Sequence, residues 1–171
     1  MKYRIVFHLP HLTLGGVEVN SIKLAHEFIS MGHEVTFLVH KFNGEHANQL
    51  NPKIKILEAN IRNILTGRNK LGKILKREEF DLIISSRDFY NSQLIKMKRK
   101  YNINSHLMAT CHTNAIVENK MFRNPLRKIK TTMYLKMAKK TYKYANSIIA
   151  VSEGVKESVL QYSGVNERDV S

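Results

Sequence analysis

Short apolar, β-rich runs alternate with longer stretches of helical periodicity, and this alternation limits the fold more than any other feature. Strands are predicted at residues 3–9, 34–40, 53–58, 81–86, 105–112 and 147–152. Helices are predicted at residues 20–31, 70–79, 91–101, 125–144 and 153–162. Because strands such as "DLIISS" are apolar on both faces, we expect an α/β fold: a Rossmann-like parallel β-sheet with helices on both faces.

Composition is consistent with one globular domain over residues 1–171, since 43% of the residues are apolar. The only cysteine, Cys111, has no partner for an internal disulfide, which favours a reducing, cytoplasmic compartment. No apolar run reaches the roughly 18 residues needed to span a membrane. The start of the chain has His8, Pro10 and His11 within its apolar part and no small-residue cleavage site, so a buried strand is predicted there rather than a signal peptide.

The formal net charge of +14 points to an anionic partner: nucleic acid, an acidic membrane surface or phosphates. Much of the charge lies between Glu118 and Glu153, where nine basic residues and no acidic ones occur. Apolar residues recur among them at helical spacing, namely Leu126, Ile129, Met133 and Met137. We expect this stripe to pack on the sheet, while the charges attract an anionic membrane surface.

Ligands of open parallel sheets bind beyond the carboxyl ends of the strands, which places the candidate site on four loops. These loops are residues 11–17, 86–91, 112–119 and 152–154. We expect the first and third to converge on a common rim.

The first of these loops contains adjacent glycines, Gly15 and Gly16, at the mouth of a helix. Glycines there permit positive φ and remove side chains that would block a ligand, and a helix start favours an anion such as phosphate. The turn matches neither the dinucleotide-binding nor the P-loop motif, which disfavours those ligands. A plain turn and a phosphate site remain equally open.

Polar side chains follow three later strands. His112 can donate to an oxygen or exchange a proton near neutral pH, and Thr113 and Asn114 stand beside it. Arg87 can hold a phosphate or carboxylate. We predict that Asp88 or Asn91 caps the helix after the fourth strand, and that Ser152 caps the last helix with Glu153 in its first turn. The histidines and the cysteine do not have the spacing of a metal-binding motif.

Taken in order, "LGGVE", "DLIISSRDFYN", "HTN" and "ANSIIAVSEGVKESVLQYSGVNERDV" resemble the amino-terminal half of GT-B glycosyltransferases of the large retaining family four. The resemblance implies an acceptor-binding domain that is inactive alone. It also implies that the donor is a UDP- or GDP-linked sugar and that no other cofactor is needed. The donor is then bound mainly by a carboxy-terminal domain that carries paired glutamates and is absent from these residues.

The resemblance also assigns roles to residues. His112 matches the histidine near the transferred sugar and is the expected catalytic residue. Gly15 and Gly16 match the turn that approaches the donor diphosphate. The remaining matches are Arg87, Asp88, Thr113 and Asn114 on the acceptor side of the cleft, with Ser152 and Glu153 at the interdomain cleft.

The basic face suits a lipid-linked or phosphorylated acceptor, and so a peripheral position on the inner face of the membrane. Two other functions stay open: a basic nucleic-acid-binding module and a phosphate-binding regulatory domain. The first is disfavoured because aromatic residues are not interleaved with the basic clusters.

Overall fold

The computed structural model describes residues 1–13, 15–42 and 50–171. Six strands form one parallel sheet of order β3-β2-β1-β4-β5-β6, which confirms the predicted α/β architecture. The strands are β1 (Arg4–His8), β2 (Glu34–Val39), β3 (Lys55–Glu58), β4 (Leu82–Ser86), β5 (His106–Cys111) and β6 (Ser147–Ala150). The helices are α1 (Gly16–Ser30), α2 (Ile64–Glu78), α3 (Asp88–Lys100), α4 (Ala115–Met121), α5 (Pro125–Thr141) and α6 (Glu153–Ser163).

The helices depart from the predicted bounds mainly at their starts. α2 begins six residues before the predicted residue 70, because the Asn63 side chain accepts a hydrogen bond from the Thr66 N–H at 3.0 Å and caps the helix there. α4 has only seven residues, too few for apolar periodicity to reveal it. Residues 43–49, between β2 and β3, lie outside the described residues.

The described residues divide into two compact units. The first comprises Met1–Ile84 and Met97–His106. In it β1 pairs in parallel with β2 and β2 with β3, with Phe7 directly opposite Phe37. Their two rings meet edge to face with centroids 5.4 Å apart, and both side chains are buried. Apolar strand faces and α1 thus enclose the core of this unit.

The second unit comprises Ser85–Lys96 and Leu107–Ser171. β5 and β6 pair in parallel, and α4, α5 and α6 pack against one another. The predicted packing of the apolar stripe of α5 on the sheet is wrong for Leu126, Ile129 and Met133, which are exposed. The buried residues of this helix are instead Ala138 and Thr141. No described helix of either unit is long and apolar enough to cross a bilayer.

Candidate active site

His112 follows the last residue of β5 and is held by a network of hydroxyl groups. Its Nε2 atom lies 2.9 Å from Thr110 Oγ1, and Thr110 Oγ1 lies 2.9 Å from Ser86 Oγ. The Thr110 hydroxyl also donates to the Ser85 carbonyl at 3.1 Å. The ends of β4 and β5 therefore hold the imidazole jointly.

This network fixes the position of the His112 ring through the Thr110 hydroxyl. That hydroxyl has one proton and three neighbouring acceptors, the Ser85 carbonyl, Ser86 Oγ and His112 Nε2. The tautomer of the ring follows from which of the three receives that proton.

Arg87 and Asp88 occupy the turn after β4 with opposite orientations. Arg87 has an exposed side chain and a positive φ of 74°, a backbone conformation that non-glycine residues rarely adopt. Asp88, the first residue of α3, points inward: its Oδ1 accepts hydrogen bonds from the Tyr142 and Tyr162 hydroxyls, each at 2.5 Å. The carboxylate thus anchors α3 to the segment after α5 and to α6.

The predicted capping roles are wrong for Asp88 and Asn91, since α3 begins at Asp88 itself. The Asn91 amide donates to the Thr110 carbonyl at 3.0 Å and to the Tyr142 hydroxyl at 3.1 Å. Burial, and then the nearby Asp88 carboxylate, raise the pKa of the Cys111 thiol in the same cluster. Cys111 is therefore unsuited to act as a thiolate nucleophile.

Asn114 brings two of the predicted loops together. Its Oδ1 accepts from the Val117 N–H at 3.0 Å and caps α4, while its Nδ2 donates to the Gly154 carbonyl at 2.8 Å. Thr113, Ser152 and Glu153 are exposed around this contact. Ser152 stands at the predicted N-cap of α6, but its side chain makes no capping hydrogen bond, so the expected role of its hydroxyl is wrong.

The glycine pair lies in the first unit, at the start of α1. Gly15 is the N-cap residue with φ of −131°, and neither glycine has a positive φ, so the turn does not use the conformation that glycines permit. A Cβ at Gly15 would collide with the buried Glu18 carboxylate, whereas a Cβ at Gly16 would have open space around it. The absence of a side chain at Gly15 thus makes room for the protein's own carboxylate, and the open side of the turn lies at Gly16. Leu14, in the same predicted loop, lies outside the described residues.

A buried histidine pair in the first unit was missed by sequence reasoning. His8, at the end of β1, and His40, just after β2, bring their Nε2 atoms to 3.1 Å. Burial, and then the charge of His40, lower the pKa of His8 to about 3; burial, and then His11, lower that of His40 to about 4. Both rings are neutral at pH 7, and one donates to the other. The matching positions of His8 and His40 at adjacent strand ends were the available signal.

Metal-binding geometry is absent from residues 1–13, 15–42 and 50–171, which contain no group of three or more histidine, cysteine or carboxylate side chains able to hold an ion. The sequence-predicted residues of the second unit fall into two sets. Arg87, His112, Thr113, Ser152 and Glu153 are exposed or half-exposed, while Asp88 and Asn114 are engaged in internal hydrogen bonds. The convergence of the glycine turn with His112 stays a prediction.

The sequence of the chain matches a known protein family. The profile described as Glycosyltransferase Family 4 matches residues 14–171. No curated protein matches the chain in sequence.

Solved structures resemble the chain in fold at low identity. The apo form of the lipopolysaccharide outer core galactosyltransferase WaaB has a TM-score of 0.67 and 19% identity, over 100% of this chain and 44% of that one. Sucrose-phosphate synthase from Thermosynechococcus elongatus has a TM-score of 0.73 and 14% identity, over 98% and 46%. Anabaena Alr3699/HepE in complex with UDP and glucose has a TM-score of 0.68 and 15% identity, over 99% and 43%.

These matches confirm the predicted Rossmann-like fold of GT-B glycosyltransferases. The 171 residues span less than half the length of each of the three structures.

Proposed function

This chain belongs to Glycosyltransferase Family 4, and we propose that it is the acceptor-binding half of a retaining enzyme that moves a sugar from a nucleotide-sugar donor to a glycan or lipid-linked acceptor. The observation that carries the proposal is the fixed ring of His112 beyond the carboxyl end of β5. Ligands of open α/β sheets bind at such strand ends.

In this proposal His112 orients the sugar that is transferred. Held at Nε2 by the Thr110 hydroxyl, the ring forms a hydrogen bond with a hydroxyl of the sugar. Such a contact fixes the position of the anomeric carbon without transferring a proton. The side chains of Arg87 and Thr113, both exposed in the same unit, contact the acceptor, with Arg87 suited to an acidic group.

The leaving diphosphate in this proposal gains charge as the glycosidic bond breaks. The 15-residue helix α1 begins at Gly16, where a side chain would meet open space. Backbone N–H groups and the positive end of the helix dipole at this point stabilise the charge on the diphosphate. The Glu18 carboxylate in the first turn opposes an anion, so the turn alone binds phosphate weakly.

The donor is a UDP- or GDP-linked sugar held mainly by residues outside these 171, and the isolated chain does not turn over. Two facts support this part: the chain spans less than half of similar structures, and one of those, Alr3699/HepE, holds UDP and glucose. Asp88 and Asn114 serve as internal anchors, and Ser152 and Glu153 line the cleft toward the donor-binding part.

The test replaces His112 by Ala in the natural protein that contains this chain. The expected result is a fall in kcat of about 100-fold, measured as nucleoside diphosphate release in the presence of acceptor. The matched control is H106A, which removes an exposed histidine from the opposite end of the same strand and leaves kcat within about twofold. Equal activity of H112A and the wild type would falsify the role of the ring, and an inverted anomeric product in an NMR assay would refute retention.

Titration of the 171-residue chain with UDP-glucose and GDP-mannose tests whether this chain binds the donor by itself. We expect heats too small to fit at micromolar protein, because the donor site is incomplete. Saturable micromolar binding would instead support a nucleotide-binding regulatory domain.

A further inference from the structure

The second unit exposes both apolar and basic side chains on α4 and α5. We define the α4–α5 ridge by five exposed apolar residues, and we propose that it docks on an anionic lipid surface. Their exposed fractions are 48% for Val117, 75% for Met121, 75% for Leu126, 66% for Ile129 and 51% for Met133. This proposal does not depend on the catalytic role of His112.

α5 exposes this stripe because it packs through a different one. Tyr134, Ala138 and Thr141 lie at i, i+4 and i+7, and Thr141 donates to Ser92 Oγ at 3.1 Å. Tyr134 stacks on Phe89 with ring centroids 4.5 Å apart. Leu126, Ile129 and Met133 share another face by the same spacing rule, and so point away from this contact.

Basic side chains flank the apolar stripe. Lys128 and Lys136 border a shallow groove that also contains Ile129 and Met133. Lys130 lies on the other side of the stripe, with its Nζ 5.8 Å from the centre of the Tyr134 ring. None of the ion pairs among the described residues includes a cation between residues 119 and 152, where the sequence has no acid.

Charge complementarity and the apolar stripe together favour an anionic lipid surface over nucleic acid. Phosphates of DNA or RNA neutralise lysines but give exposed leucine, isoleucine and methionine nothing apolar to contact. At a bilayer interface such side chains enter the acyl boundary, while lysine stems extend their ammonium groups to the headgroups. α5, with 17 residues and a length of about 25 Å, suits a position in the plane of that interface.

Vesicle co-sedimentation of the 171-residue chain tests the proposal. We expect binding to phosphatidylglycerol-containing vesicles that exceeds binding to pure phosphatidylcholine and decreases with salt. The K128Q/K130Q/K136Q variant should weaken binding about 100-fold, and L126S/I129S/M133S about tenfold. Circular dichroism should show both variants folded, because all six side chains are exposed.

Matched control variants replace the same kinds of exposed side chain in the first unit. L24S/M31S/L65S replaces three exposed apolar residues, and K23Q/K41Q/K73Q removes three exposed lysines. Each control should change vesicle binding by less than about threefold, since a charge far from the contact surface is screened beyond a Debye length.

Three outcomes would overturn the proposal. One is equal binding to neutral and anionic vesicles. Another is unchanged binding of L126S/I129S/M133S together with equally tight binding of a DNA duplex, which would identify a general polyanion surface. The third is self-association that the same triple variant abolishes, without vesicle binding, which would identify a second copy of the chain as the occupant.

Discussion

α1 of the first unit and α5 of the second unit are both amphipathic in sequence, yet they use their apolar residues differently. α1 buries Ile22 and Ala25, so its apolar face contributes to the core. α5 buries Ala138 and Thr141 and leaves Leu126, Ile129 and Met133 exposed. Apolar periodicity therefore predicts a helix but does not identify what covers its apolar face.

The interiors of the two units also differ in the polar groups they hold. The first unit buries the His8–His40 pair, which is neutral at pH 7 because burial depresses both pKa values. The second unit directs two tyrosine hydroxyls to the Asp88 carboxylate, and burial raises the pKa of both phenols. Lowering the pH should therefore destabilise the first unit, because it protonates His8 and His40.

Polar substitution of a single isoleucine should affect α1 strongly and α5 hardly at all. Ile22→Ser on α1 should lower the free energy of unfolding by about 4 kcal/mol, because it empties a buried apolar site and adds a hydroxyl. Ile129→Ser on α5 should change it by less than about 0.5 kcal/mol. Urea unfolding followed by circular dichroism measures both, and similar losses for the two variants would remove the contrast between the helices.

Asp88→Ala should cost about 3 kcal/mol of stability, since it leaves the buried hydroxyls of Tyr142 and Tyr162 without their acceptor. Asp88→Asn keeps an acceptor oxygen and should lose less. Glu157→Ala, an exposed change on α6, is the control in the same urea series. An Asp88→Ala loss no larger than that of the control would show that the cluster contributes nothing.

The His8–His40 pair predicts a pH dependence of stability. Both folded-state pKa values lie below the unfolded value of 6.5, so the unfolded chain binds more protons between about pH 6.5 and 4. The contribution of the pair is complete above pH 6.5 and is lost progressively as the pH falls from 6.5 toward 4.

The H8Q/H40Q variant retains hydrogen-bonding groups but cannot titrate, so its unfolding free energy should depend less on pH than that of the wild type. H26Q, at a half-exposed histidine of α1, is the control. Parallel curves for the wild type and H8Q/H40Q from pH 7 to pH 4 would contradict the assignment.

Alanine substitution of the two adjacent glycines should change stability only slightly, and by different amounts. Gly15→Ala should lower stability by about 1 kcal/mol, because the new Cβ displaces the Glu18 carboxylate. Gly16→Ala meets open space and should be neutral within about 0.5 kcal/mol. Thermal unfolding of both variants, repeated with Glu18→Ala, provides a double-mutant cycle, and a Gly15→Ala cost that persists without Glu18 would rule out this explanation.

Sequence reasoning located all six strands, because doubly apolar runs separated by helical periodicity have few other interpretations. It also identified where His112 and Ser152 stand, since each lies within two residues of the carboxyl end of a strand. It could not find the partners of Asp88, because Tyr142 and Tyr162 lie 54 and 74 residues away and their hydroxyls leave no local pattern. The stripe of α5 was assigned to the core because apolar spacing is the same whether a neighbour or a partner covers it.

The two hydrogen bonds of Asn114 have a consequence for how this site can diversify. One end of its side chain holds the first turn of α4 and the other holds Gly154. An inserted residue between His112 and Asn114 would shift the amide and sacrifice at least one of those bonds. Related chains with this arrangement should therefore vary the exposed side chain at position 113 while the length of the loop stays constant.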